Sequence, residues 1–170
     1  SLARPRLGAL HSVVVGGFAP HSLASRIDDA NPKLVISADA GSRVGKVVPY
    51  KPLLDEAISL SKFPPGKVII VDRGLVPGFS RVAGRDLDWA ELRAKHMDAH
   101  VPCVWLESNE PSYILYTSGT TGKPKGVQRD VGGHAAALAA SMQPLFCGNA
   151  GANSFSHTDN GCVFGHSCIH

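Results

Sequence analysis

The chain has 170 residues, 44% of them apolar and 18% charged, with a net charge of +3. That is long enough for one domain with a real core, and the charge is too small and too scattered over seventeen Lys and Arg to argue for nucleic acid. No apolar run approaches the roughly 20 residues a bilayer span needs, so neither nucleic acid nor membrane is an expected partner.

The first structured segment is His11-Ser12-Val13-Val14-Val15, a β-branched run closed by Gly16-Gly17. Leu23, Ile27 and Ala30 then recur at helical spacing behind Pro20, which suits a first turn, and Asn31-Pro32 ends that helix. Lys33 to Asp39 reads as a second strand, which makes a β–α–β unit of the two strands and the helix. Gly41 to Gly45 reads as a loop, and Lys51 to Leu60 as an amphipathic helix stopped by Phe63-Pro64-Pro65-Gly66. Lys67-Val68-Ile69-Ile70-Val71-Asp72 has the continuous apolar character of a strand covered on both faces. Gly74 to Gly84 is irregular, and Asp88 is a candidate N-cap for a short helix running to Lys95. A strand at Ser112 to Tyr116 and an Ala-rich helix at Gly132 to Met142 complete the pattern. Alternating strands and helices predict an α/β domain of three layers, a mostly parallel sheet with flanking helices.

Between that last strand and helix lies the most informative run, Thr117-Ser118-Gly119-Thr120-Thr121-Gly122-Lys123-Pro124-Lys125-Gly126. Backbone N–H groups at glycines and short hydroxyls donate to phosphate oxygens while lysines neutralise charge, which is the chemistry of a polyphosphate cradle. The P-loop pattern fails: it needs Gly where Thr117 stands and Ser or Thr where Pro124 follows Lys123. Pro124 also disfavours a helix starting at Lys123. A basic surface loop between a strand and a helix is the structural alternative.

Four cysteines (Cys103, Cys147, Cys162, Cys168) are too few for a disulfide scaffold, and reduced thiols in a cytoplasmic protein are expected. The tail residues His157, Cys162, His166, Cys168 and His170 raise a zinc reading, but their spacing matches no common finger. No metal site is assigned. His96 and His100, four apart near Asp98, could share one helical face but read as solvated surface, and His134, at a helix start, reads as a packing residue or as one that supports the site from behind.

The run T-S-G-T-T-G-K-P-K-G resembles the nucleotide phosphate loop of the AMP-forming acyl-CoA synthetases of the adenylate-forming superfamily. The segments at 11–18 and 22–30 are similar to the short-chain acetyl- and propionyl-CoA synthetase subgroup, and those at 49–57, 107–116 and 127–133 resemble its propionate–CoA ligase branch more closely than the acetate one. The resemblance implies that residues 1–170 are part of the large N-terminal AMP-binding (adenylation) domain, truncated at both ends, with 147–170 a divergent, poorly ordered tail. It implies ATP, Mg2+ and CoA as cofactors and a small carboxylate as substrate. The family reaction passes through acyl-AMP and releases pyrophosphate before the thiol of CoA displaces AMP. Thr117, Ser118, Gly119, Thr120, Thr121, Gly122, Lys123, Lys125 and Gly126 would wrap the phosphates, with Lys125 ranked ahead of Lys123.

Asp159, Gly161, Val163, Gly165, His166 and Ser167 fit the family segment D-x-G-W-V-x-G-H-S, so Val163, Phe164, Gly165 and His166 are assigned weakly to the acyl and CoA pocket. Cys162 stands where the family has Trp, Phe164 where it has a smaller residue and Cys168 where Tyr is usual. A lost buried Trp costs roughly 3–5 kcal/mol. The resemblance also implies that the adenine and Mg2+ segment, the ribose Asp, the hinge and a C-terminal Lys lie beyond His170. The expected activity is therefore that of a ligase fragment, with no complete catalytic set and no thioester formation alone. A non-catalytic module that binds ATP, pyrophosphate or a metal is the alternative class.

Overall fold

A computed structural model describes residues 5–117 and 124–146, together with Gly151 and Asn153. The chain divides into two compact units, one of residues 16–99 and one built from residues 1–15 and 100–170.

In the 16–99 unit, α1 (Pro20–Ala30) starts on its own proline, which needs no N–H partner there. It ends at Asn31, which takes the left-handed conformation (φ 42°) and returns its N–H to the Ile27 carbonyl, as a C-terminal cap should. A parallel sheet of β2 (Leu34–Ala38), β5 (Lys67–Val71) and β6 (Asp86–Asp88) follows, in the order β2-β5-β6. Val35 pairs with Val68 and Ser37 with Ile70. On one face Val68 and Ile70 pack with Ala24 and Ile27 of α1 and with Leu54, Ala57 and Ile58 of α2 (Tyr50–Leu60). On the other face Leu34 and Ile36 of the edge strand remain 43% and 45% exposed.

Asp39, fully buried, joins these parts. Its carbonyl accepts the first N–H groups of α2, from Tyr50 and Lys51, so the helix needs no capping side chain. Its own N–H bonds Val71 at the end of β5. Its carboxylate accepts N–H groups of Arg73, Leu75 and Val76 at 3.0–3.2 Å. Burial pushes this carboxyl up, and the backbone donors outweigh it and hold it below its ordinary value.

Between β2 and α2 the chain forms a hairpin of β3 (Ala40–Arg43) and β4 (Lys46–Pro49), with Arg43 opposite Lys46. Val44 and Gly45 make its two-residue turn with φ of 50° and 74°, the signs a type I′ turn requires. The sequence alone predicts a loop over Gly41 to Gly45, where these paired strands form instead. An ion-paired cluster lies at α2 and β6. Lys51, 1% exposed, pairs with Asp55 and lies 3.0 Å from Asp86, whose side chain is fully buried. Arg85 pairs with both carboxylates, with its Nε 2.6 Å from Asp86. Helix α3 (Trp89–Lys95) is capped as expected, Asp88 accepting the Glu91 N–H at 3.0 Å.

The other unit holds a mixed sheet in the order β1-β7-β8, with β1 (His11–Ser12) parallel to β7 (Pro111–Thr117) and β8 (Lys125–Asp130) antiparallel to it. Helix α4 (Val131–Phe146) follows β8 without a break.

The α/β class is as expected, with one parallel sheet and one mixed sheet among the described residues. The β–α–β unit predicted from β1, α1 and β2 does not form, because β1 pairs with β7 and β2 with β5. Neighbours in a sheet are chosen by long-range packing, and β1 is only His11–Ser12 instead of a strand to Val15. The crossover that does form runs from β2 through α2 to β5. Among the described residues no helix is long and apolar enough to cross a membrane.

Candidate functional site

Strand β7 alternates as its sequence requires. Tyr113 and Leu115 are buried to 1% exposure, and Ile114, Tyr116 and Thr117 are half-buried. Its antiparallel partner β8 is read in register from Tyr113↔Arg129 through Leu115↔Val127 to Thr117↔Lys125. The candidate phosphate run therefore spans the end of a β-hairpin, with Thr117 and Lys125 as the last paired residues and Gly126 opposite Tyr116. Residues directly opposite in an antiparallel pair share a face, so the Thr117 hydroxyl and the Lys125 ammonium are borne by the same face of the sheet. Lys125 and Gly126 are exposed.

The run thus leads from a strand into another strand, where the sequence reading had the loop continue to a helix. Pro124 is consistent with this: it lies just outside β8, where its missing N–H costs no ladder bond. Strand β8 has no signal in the sequence, because Lys-Gly-Val-Gln-Arg-Asp carries one apolar residue, Val127, too little for a period of two. Ser118, Gly119, Thr120, Thr121, Gly122 and Lys123 lie outside the described residues, as do Val163, Phe164, Gly165 and His166. The tail residues of the zinc reading lie outside them too. Of the predicted site residues, Thr117, Lys125 and Gly126 are brought together.

Behind the hairpin lies a group that sequence reading did not connect. The Tyr113 hydroxyl is 3.2 Å from Nε2 and 3.4 Å from Nδ1 of His134, and the two rings meet edge to face at 4.9 Å. His11 lies on the other side of Tyr113, ring centres 6.0 Å apart. Burial pushes the Tyr113 phenol up, only partly offset by the positive charge of Arg129 opposite it, so at neutral pH the hydroxyl keeps its proton and can donate. His96 and His100 are exposed, and α3 ends at Lys95, so no helical face brings them together. Cys103 is a free, exposed thiol. Among the described residues there is no group of three or more His, Cys, Asp or Glu that could hold a metal ion.

Comparisons with known proteins agree with one another. The AMP-binding enzyme family profile matches residues 1–170. The chain is 62% identical over 168 residues to a propionate–CoA ligase of Escherichia coli (strain K12), a match that covers 99% of this chain and 27% of that protein. It is 45% identical over 168 residues to the human mitochondrial acyl-CoA synthetase short-chain family member 3, covering 99% of this chain and 24% of that one. The structure of acetoacetyl-CoA synthetase from Streptomyces lividans superposes with a TM-score of 0.83 over 99% of this chain and 25% of that chain; at 23% identity this likeness concerns the fold alone. The chain spans about a quarter of the length of the curated relatives it matches. The chain belongs to the AMP-binding enzyme family.

Proposed function

We propose that this chain is the pyrophosphate-gripping part of an AMP-forming acid–thiol ligase that acts on a short-chain carboxylate, propionate first, in the cytoplasm. One observation carries the site: the Thr117–Gly126 run closes a β-hairpin whose strands stay in register up to Thr117 and Lys125. Similarity to a protein named propionate–CoA ligase supports the choice of substrate. ATP and CoA are the co-substrates in this reading, and Mg2+ enters it as the ion carried by ATP.

The chemistry asks for charge neutralisation and positioning. A carboxylate oxygen attacks the α-phosphorus of ATP and pyrophosphate leaves; the CoA thiol then displaces AMP from the acyl carbon. In-line attack brings two anions together, and the leaving group gains charge as its bond breaks. The hydroxyls of Thr117, Ser118, Thr120 and Thr121 and the N–H groups at Gly119, Gly122 and Gly126 donate to the departing phosphates. Lys123 and Lys125 supply positive charge. Lys125 ranks ahead because it is the last residue fixed by strand pairing. Val163, Phe164, Gly165 and His166 line the acyl and CoA pocket in this proposal. The 170 residues form one part of the larger adenylation domain.

Calorimetric titration of MgATP and of inorganic pyrophosphate tests the cradle. Loss of one charge-assisted bond, worth about 1.5–3 kcal/mol, should raise Kd at least tenfold in Lys125→Ala, with a smaller effect in Lys123→Ala. Equal losses would refute the ranking, and no binding by the unsubstituted chain would refute the cradle.

A further inference from the structure

The residues before β7 and the first turn of α4 are held to each other apart from the strand ladder. The N–H of Val131 donates to the Glu110 carbonyl at 2.9 Å, and that of Gly132 to the Ser108 carbonyl at 2.8 Å. The approach is close enough that a Cβ on Gly132 would meet Ser108 Cβ at 2.5 Å and its Cα at 3.1 Å. One turn further along, His134 reaches back to Tyr113. The segment that leads into β7 and the helix that follows β8 therefore meet at backbone, and β7 and α4 meet at side chain.

We propose that Tyr113 and His134 form a positioning pair for phosphate binding, fixing where β7 and β8 present Thr117 and Lys125. This rests on the cradle reading above. Tyr113, Leu115 and Thr117 alternate onto one face of β7, with Arg129, Val127 and Lys125 opposite them. Thr117 lies four positions beyond Tyr113, about 13 Å along an extended strand. Tyr113 is buried between His11 of β1 and His134 of α4. Its hydroxyl lies 3.2 and 3.4 Å from the two imidazole nitrogens, so either tautomer leaves an unprotonated nitrogen within reach of it. The contact survives a tautomer change, which suits a brace. A rotation of α4 away from β7 would open this bond and, through the continuous chain at Asp130–Val131, displace β8 with Lys125. Neither residue touches the phosphates, so each acts through the strand it holds.

A double-mutant cycle on the purified chain tests this, reading Kd for inorganic pyrophosphate and Tm for each protein. Tyr113→Phe removes the hydroxyl and keeps the ring; His134→Phe keeps a ring and removes both nitrogens. Each should weaken pyrophosphate binding about 2–12-fold, the equivalent of one net hydrogen bond. The double variant should be no weaker than the worse single, since both break the same bond. His134→Gln, which restores an acceptor, should recover affinity to within about twofold of the unsubstituted chain. Unchanged Kd with a lowered Tm would leave a brace for stability only and overturn the proposal, as would losses that multiply. If His134→Phe fails to fold, Tyr113→Phe and His134→Gln decide by the same readout. If the unsubstituted chain binds no pyrophosphate, the cradle reading falls and this inference with it. If Lys125→Ala weakens binding while Tyr113→Phe and His134→Phe do not, the cradle stands and only the positioning pair is refuted.

Discussion

Asp86 shows how one buried charge is made tolerable. Burial alone would push its carboxyl up, but Arg85, the Val82 N–H and Lys51 hold it down to about 2. A folded pKa below the unfolded value means a stabilisation that is complete above the unfolded pKa of about 4 and is lost as pH falls toward 2. The difference corresponds to roughly 2 kcal/mol. Urea unfolding between about pH 5 and pH 2 should therefore show stability falling with pH, and Asp86→Asn should be less stable near neutrality with a flatter acid dependence. An Asp86→Asn protein with an unchanged acid profile would assign that dependence to other carboxylates, Asp39 first among them. The quartet of Lys51, Asp55, Arg85 and Asp86 balances two positive against two negative side chains, so removing any one member leaves an uncompensated charge near the core.

Elements with local signals were legible in the sequence, and elements defined by a partner were not. Asn31, Pro32 and Asp88 act as punctuation in the structure as they do in the sequence, and α1, α2, α3 and β5 fall within a residue or two of their predicted bounds. The short strand β6, Asp86–Asp88, has no signal of its own and exists by pairing with Val68–Ile70. The β3–β4 hairpin was hidden by its turn. Val-Gly lacks the Asn-Gly or Asp-Gly pair that usually announces a type I′ turn, and a β-branched residue at φ 50° is strained. Val44 is 96% exposed, so nothing packs its side chain in compensation. Val44→Asn should relieve about 1 kcal/mol of that strain and raise Tm by about 2–4 °C; an unchanged or lower Tm in a thermal melt would show that the turn carries no such strain. In the candidate site the phosphate run was legible by composition, while its hairpin register and the Tyr113–His134 contact were not. Those two residues are twenty-one apart and meet only because β8 returns the chain alongside β7.

At the scale of the whole chain the two units differ in how they are assembled. Residues 16–99 form one continuous stretch with their own apolar core, while the other unit joins the first fifteen residues to those from 100 onward. A peptide of residues 16–99 is thus expected to fold by itself, with a sigmoidal thermal transition by circular dichroism. A gradual melt without a baseline would show that its core needs the rest of the chain.

The junction at Asp39 has a consequence for a chain made from its N-terminus on a ribosome. The donors for its carboxylate, at Arg73, Leu75 and Val76, emerge thirty-four to thirty-seven residues after it. Until they arrive, the side chain must stay hydrated, and burying it early would leave a charge without donors. Helix α2, which borrows its first acceptor from the Asp39 carbonyl, has no capping side chain of its own to hold it meanwhile. Synthesis order thus defers the closing of β2 and α2 until the residues after β5 have emerged.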